Sequence, residues 1–139
     1  LTNIKRCPVT GSFECLEKNV TVLINLYEKG DKSVLEAILD VAVISDGYLA
    51  AGIGSFLSDV INHDTEEFLI AIKGRPKNEQ RTLAMLAVVG DGGGHTDDWN
   101  KSVGERLNFQ AQASDKKLSD VSRLCLRTLR KSIARRDSN

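Results

Sequence analysis

The apolar residues of this chain recur at spacings of three and four over most of its length, the period of a helix buried along one face. Phe13, Leu16, Val20, Leu23 and Tyr27 form the first such row, behind Ser12, a good N-cap, and ahead of Gly30, a helix stop. Ser33-Val34-Leu35-Glu36 reads as a capping box, in which the serine oxygen and the glutamate each satisfy an orphan amide. It predicts a second helix running to about Ser45, followed by an Asp46-Gly47 turn. A third helix, over about 48–62, carries Tyr48, Leu49, Ile53, Phe56, Leu57, Val60 and Ile61. Gly52 and Gly54 lie inside it, and each costs a helix about 1 kcal/mol relative to alanine, so the pair points to close approach by a neighbouring helix.

Asp64-Thr65-Glu66-Glu67 reads as the cap of a short fourth helix, with its acids at the positive end of the dipole. Phe68, Leu69 and Ile72 are its apolar face, and Gly74 ends it. Pro76 opens a fifth helix over about 76–89 that buries Leu83, Leu86, Ala87 and Val89. Trp99, Val103 and Leu107 predict a sixth helix over about 97–110, interrupted by Gly104. Ser114 or Asp115 caps the last helix, whose stripe is Leu118, Val121, Cys125, Leu129 and Ile133, broadened by Leu124 and Leu126.

No run alternates as a half-buried strand does. Val41-Ala42-Val43-Ile44 has strand propensity but continues a helical period. The expected fold is therefore all-α, one domain over 1–139, with six or seven antiparallel helices. They form either a helical bundle or a short HEAT-like stack of α-hairpins, pairing 12–29 with 33–45 and 48–62 with 65–74, then adding 76–89. No fixed-period repeat accompanies the pattern. Residues 1–11 are expected to be an irregular lead, 90–98 a Gly-rich loop and 137–139 a frayed tail.

Composition narrows the function. With 139 residues, 41% of them hydrophobic and 27% charged, the chain has enough apolar surface to offset its entropy as one domain. No stretch nears the ~18 apolar residues of a membrane span. Nineteen bases balance nineteen acids, which argues against a general nucleic-acid binder. The balance hides a segregation. From Asp31 to Ile72 there are eight acids against the single Lys32, a balance of −7, and from Arg123 to Arg136 six bases and no acid, a balance of +6. The plain reading of the basic stretch is a solvated helix face that suits the C-terminal dipole. The functional reading is a docking surface for an acidic partner or for nucleic acid, although few aromatics accompany the arginines to stack on single strands.

Cys7 and Cys15 lie close together and Cys125 far away, which leaves open a Cys7–Cys15 disulfide or one from the N-terminus to Cys125. On its helix stripe, Cys125 reads most simply as a small buried hydrophobe. No CxxC pair exists and His63 and His95 are isolated, so no zinc spacing is present. The chain opens at Leu1 rather than methionine, consistent with trimming or with a removed signal peptide. Asn19-Val20-Thr21 and Asn100-Lys101-Ser102 match the glycosylation triplet, which arises often by chance.

Gly90-Asp91-Gly92-Gly93-Gly94-His95-Thr96-Asp97-Asp98-Trp99 is the segment whose composition exceeds what a connector needs. It combines four glycines in five residues with a histidine, three carboxylates and the only tryptophan. As a plain connector, its Trp99 anchors the next helix. As a functional loop, Asp91, Gly92, Gly93, Gly94, His95, Thr96, Asp97, Asp98 and Trp99 form a soft protrusion that contacts a protein partner. As an enzyme site, His95 and Asp97 would serve a small metal-dependent hydrolase, with His63-Asp64 joining if the two loops meet. Glycine-rich backbone holds side chains loosely, which counts against that reading. The run lacks the Lys-Ser/Thr of a P-loop and the alternating oxygens and closing glutamate of a calcium loop, so no cofactor is expected.

The capped helix, turn and second helix of Ser33–Ile61 resemble HEAT-type helical-repeat proteins. The size, the all-helical pattern, the scattered cysteines and the extruded 91–99 loop resemble the small helical immunity proteins that bacteria keep in the periplasm against type VI secreted peptidoglycan amidases. That second resemblance implies a non-enzymatic inhibitor, periplasmic or secreted, working as a homodimer and covering the toxin enzyme's groove with the loop at Asp91–Trp99. The HEAT-like resemblance implies a scaffold that binds acidic peptides through Arg123–Arg136.

Overall fold

The structure is a computed structural model and describes residues 13–90 and 94–138. Its seven α-helices are α1 (Phe13–Glu28), α2 (Leu35–Ala42), α3 (Gly47–His63), α4 (Thr65–Lys73), α5 (Lys77–Val89), α6 (Asp97–Gln110) and α7 (Lys116–Asp137). A 3₁₀ turn, Lys32–Val34, precedes α2, and no strand occurs among the described residues. The fold is all-α, and its packing is compatible with a bundle and with a stack of hairpins. Helix α3 packs most extensively on α5 and also touches α1, α2, α4 and α6. Helix α7 closes the assembly by packing on α4, α5 and α6.

One core runs through all seven helices. Phe68, Ile38, Leu39, Ile53, Leu57, Ile61, Leu69, Ile72, Leu83 and Leu107 are its largest fully enclosed side chains apart from the valines. Most boundaries follow the apolar period, and the departures have local causes. The second helix starts later and ends earlier than its sequence suggests. Asp31, not Ser33, supplies the cap: its carboxylate accepts from the Ser33 amide and from the Ser33 hydroxyl, so that hydroxyl is used as a donor. Glu36 turns away from the capping-box position to meet Arg75. Asp64 likewise makes no side-chain cap for α4. In α5 the buried stripe is Gln80, Leu83, Ala84, Ala87 and Val88, so Val89 and Leu86 sit at its edge. Gly104 does not interrupt α6, which runs unbroken from Asp97 to Gln110. Helix α7 continues through Asp137, one residue into the expected frayed tail.

Buried serines finish helix ends that belong to other helices. The last carbonyls of a helix have no partner within it. Ser58 of α3 donates to Ala87 O near the end of α5 at 2.6 Å. Ser119 of α7 donates to Ala111 O just past the end of α6 at 2.5 Å, and Ser122 adds a second donor, at 2.6 Å, to Leu107 O, which also accepts from the Ala111 amide. Arg75, in the turn between α4 and α5, gathers three acids: Glu36 at 2.9 Å, Asp40 at 2.8 Å and Glu79 at 3.1 Å. Burial would lower its pKa, but the hydrogen bonds it donates to Asp40 and Glu36, with their charges, outweigh that and raise it.

Cys15 is disulfide-bonded and Cys125 is free, so the pairing to Cys125 does not form. The Cys125 thiol is completely buried, which pushes its pKa up to about 12 and makes it an inert core side chain. No helix is long and apolar enough to cross a membrane, among the described residues.

Candidate functional site

The site is built from the end of α5, the start of α6 and one face of α3. Gly54 on α3 sits directly beneath the carbonyl of Gly90, and a Cβ at position 54 would overlap that oxygen. Gly90 is buried, with φ +67° and ψ −124°, a conformation open to glycine and strained for other residues. A Cβ on Gly90 would stand 3.0 Å from Ser58 Oγ and 3.1 Å from the His95 ring. Of the two glycines expected to admit a neighbour, Gly54 does so, while Gly52 has open space beside it.

His95 fills the space these small residues leave. Its Nε2 lies 3.1 Å from Ser58 Oγ, and its ring stacks on Trp99 with centroids 3.6 Å apart and planes 16° apart. Ser58 has one hydroxyl proton and gives it to Ala87 O, so its oxygen accepts from His95, and Nε2 carries the proton. The pair is therefore a structural anchor. A nucleophilic serine needs its proton taken by the histidine, and here the geometry runs the other way.

Arg136, at the end of α7, holds the segment from outside. Its Nη1 donates to His95 O at 3.1 Å and its Nη2 to Asp97 at 2.8 Å. The hydrogen bonds that Arg136 donates to Asp97 and Asp137 raise its pKa. Thr96 is the N-cap of α6, accepting from the Trp99 amide at 3.1 Å. Asp97 and Asp98 follow in the first turn, where the helix dipole favours them, and both side chains face solvent.

Of the sequence-predicted site residues, Gly94, Thr96, Asp97 and Asp98 are exposed and His95 and Trp99 half-buried against the scaffold. Asp91, Gly92 and Gly93 lie outside the described residues. Two residues of the Gly90–Trp99 segment pack more closely than its glycine content suggests. Gly90 is a packing residue, and His95 is held firmly by Ser58, Trp99 and Gly90 despite the glycines before it. Ser58 and Arg136, which do the holding, carry no local sequence signal linking them to this segment. His63 and Asp64 belong to a different groove, lined by Tyr27, Lys32, Phe56 and Asp59. There Tyr27 donates to Asp64 at 2.6 Å, and Lys32 pairs with the same carboxylate at 3.0 Å while lying 4.0 Å above the tyrosine ring. The Tyr27 hydrogen bond lowers the Asp64 pKa, burial opposes it, and Lys32 lowers it further. Burial, followed by the Asp64 contact, raises that of Tyr27.

Among the described residues no group of three or more His, Cys, Asp or Glu side chains is placed to hold a metal ion. His95 Nε2 and the Asp97 carboxylate are both engaged within the protein. In comparison with known proteins, no family model matches the chain, and no curated protein or solved structure matches it.

Proposed function

We propose that this is a non-enzymatic protein-binding protein that inhibits or captures a partner through the 91–99 segment. The observation that carries the reading is the His95 anchor. It fixes the start of α6 so that Asp97 and Asp98 stand in solvent at a helix N-terminus, presented from a base that does not have to be ordered on binding. Pre-ordering of that kind lowers the entropic cost of association. An immunity protein directed at a secreted peptidoglycan amidase is the specific form we favour, with the segment lying over the enzyme's groove. The disulfide at Cys15 supports an oxidising compartment such as a periplasm.

The test separates the contact from its support. Deleting the whole loop would also remove the Thr96 cap and the His95 anchor, so Asp98→Arg is the cleaner change. Affinity capture from the native envelope fraction should retain a protein with the wild-type chain, and Asp98→Arg should weaken that binding 10-fold or more at an unchanged melting temperature. Equal retention by wild type, Asp98→Arg and a chain lacking residues 92–94 would refute the reading.

A further inference from the structure

Helices α5 and α7 pack side by side, and their outer edges leave a groove of about 480 Å³. Its walls carry four bases: Arg81 from α5, and Arg127, Lys131 and Arg135 from α7. No acid lines it among the described residues. Its floor includes Met85, 42% exposed, and the half-buried Leu124.

Several of the chain's other cations are neutralised internally, although not all of them are. Lys32, Lys73, Arg75 and Arg136 each meet an acid of this chain at 3.0 Å or less. Among the described residues none of Arg81, Arg127, Lys131 and Arg135 is ion-paired. Arg127, Lys131 and Arg135 are spaced by four, so they stack on one helix face, where like charges oppose helix stability. Three repelling cations stand on one row with a fourth across the groove, and among the described residues no acid lies beside them.

We propose that this groove docks an acidic amphipathic segment of another protein, with carboxylates on the four bases and apolar side chains on Met85 and Leu124. The apolar floor decides the class of partner. Phosphates of a nucleic acid would use the bases and leave the floor uncovered, and among the described residues no aromatic ring lines the groove to stack a base. A helix with one acidic and one apolar face uses both surfaces, as in other helix-in-groove complexes. The proposal stands independently of the 91–99 segment, although Arg135 adjoins Arg136, which holds that segment.

The probe is a fluorescein-labelled peptide of glutamate and leucine in an amphipathic helical pattern, about four turns long to match α5. Controls are a permuted peptide of the same composition without the apolar stripe, and single-stranded oligothymidylate. Fluorescence anisotropy should give a Kd below about 100 μM that weakens steeply with salt. Arg127→Glu with Lys131→Glu, and separately Met85→Asp, should each weaken binding about 10-fold or more, with circular dichroism verifying the fold. The permuted peptide should bind about 10-fold more weakly. No binding, equal binding of both peptides, or tighter binding of the oligothymidylate would overturn the proposal. So would self-association in sedimentation that the double charge reversal abolishes, because the occupant would then be a second copy of this chain.

Discussion

Helix α3 is fastened on one face and at its C-terminal end by two polar clusters of opposite character. On the face toward α5, Gly54, Ser58, Gly90 and His95 meet through close backbone approach and hydrogen bonds of 2.6 and 3.1 Å. At its C-terminal end, Asp64 meets the Tyr27 hydroxyl at 2.6 Å and the Lys32 ammonium at 3.0 Å, with the Asp64 side chain 27% exposed. The first cluster is tight and relies on the absence of side-chain volume. The second is open to water and relies on charge. The first should therefore respond to added atoms and the second to protons and salt, because packing is unforgiving where backbones touch and Coulomb forces are screened where solvent enters.

The largest effect is expected at Gly54. Gly54→Ala drives a methyl into the Gly90 carbonyl, and backbone on both sides leaves little room for relief. It should destabilise the fold by about 3 kcal/mol or more, read as a lower urea midpoint at an unchanged slope. Gly90→Ala comes next, at about 2 kcal/mol, from the strain of φ +67° and the pressure on Ser58 and His95. His95→Ala should cost about 1–2 kcal/mol by removing the Ser58 hydrogen bond and the Trp99 stack. His95→Gln, which keeps a donor, should recover part of it, and equal melting temperatures for the two variants would count against the hydrogen bond.

The smallest effect separates the clusters by pH. The Asp64 pKa is lowered in the folded state, so its stabilisation is complete above the ordinary carboxylate value of 3.8 and is lost as pH falls through the folded value. Asp64→Asn should lower the melting temperature slightly near neutral pH and flatten its decline below about pH 4. The Gly54 and Gly90 variants should retain the full acid decline of the wild type. An Asp64→Asn profile parallel to the wild type would show that the carboxylate does not carry the difference.

Much of the fold was legible because a helix buried on one face writes its period into the chain. The rows through Val20–Tyr27, Leu49–Ile61 and Leu118–Leu129 place their residues in the core. The caps were less legible. Ser33 and Asp64 both sit where cap residues belong, yet Asp31 caps the 3₁₀ turn and Asp64 turns to Tyr27 and Lys32. A cap is worth about 1 kcal/mol, small enough for a tertiary hydrogen bond to redirect it. Within the candidate site, the exposure of Asp97 and Asp98 and the partial burial of Trp99 followed from the helix start. The anchoring of His95 did not, because Ser58 is 37 residues away and nothing local marks it.

By itself the sequence determined the all-helical class, most helix spans, the apolar face of each helix and the segregation of charge, since all of these depend on residues within a turn or two of one another. The tertiary structure decided which carbonyls the buried serines would finish, which glycine would admit a neighbour, and which bases would find an acid. Those outcomes depend on distances between segments far apart in the chain, which only the packing of the helices sets.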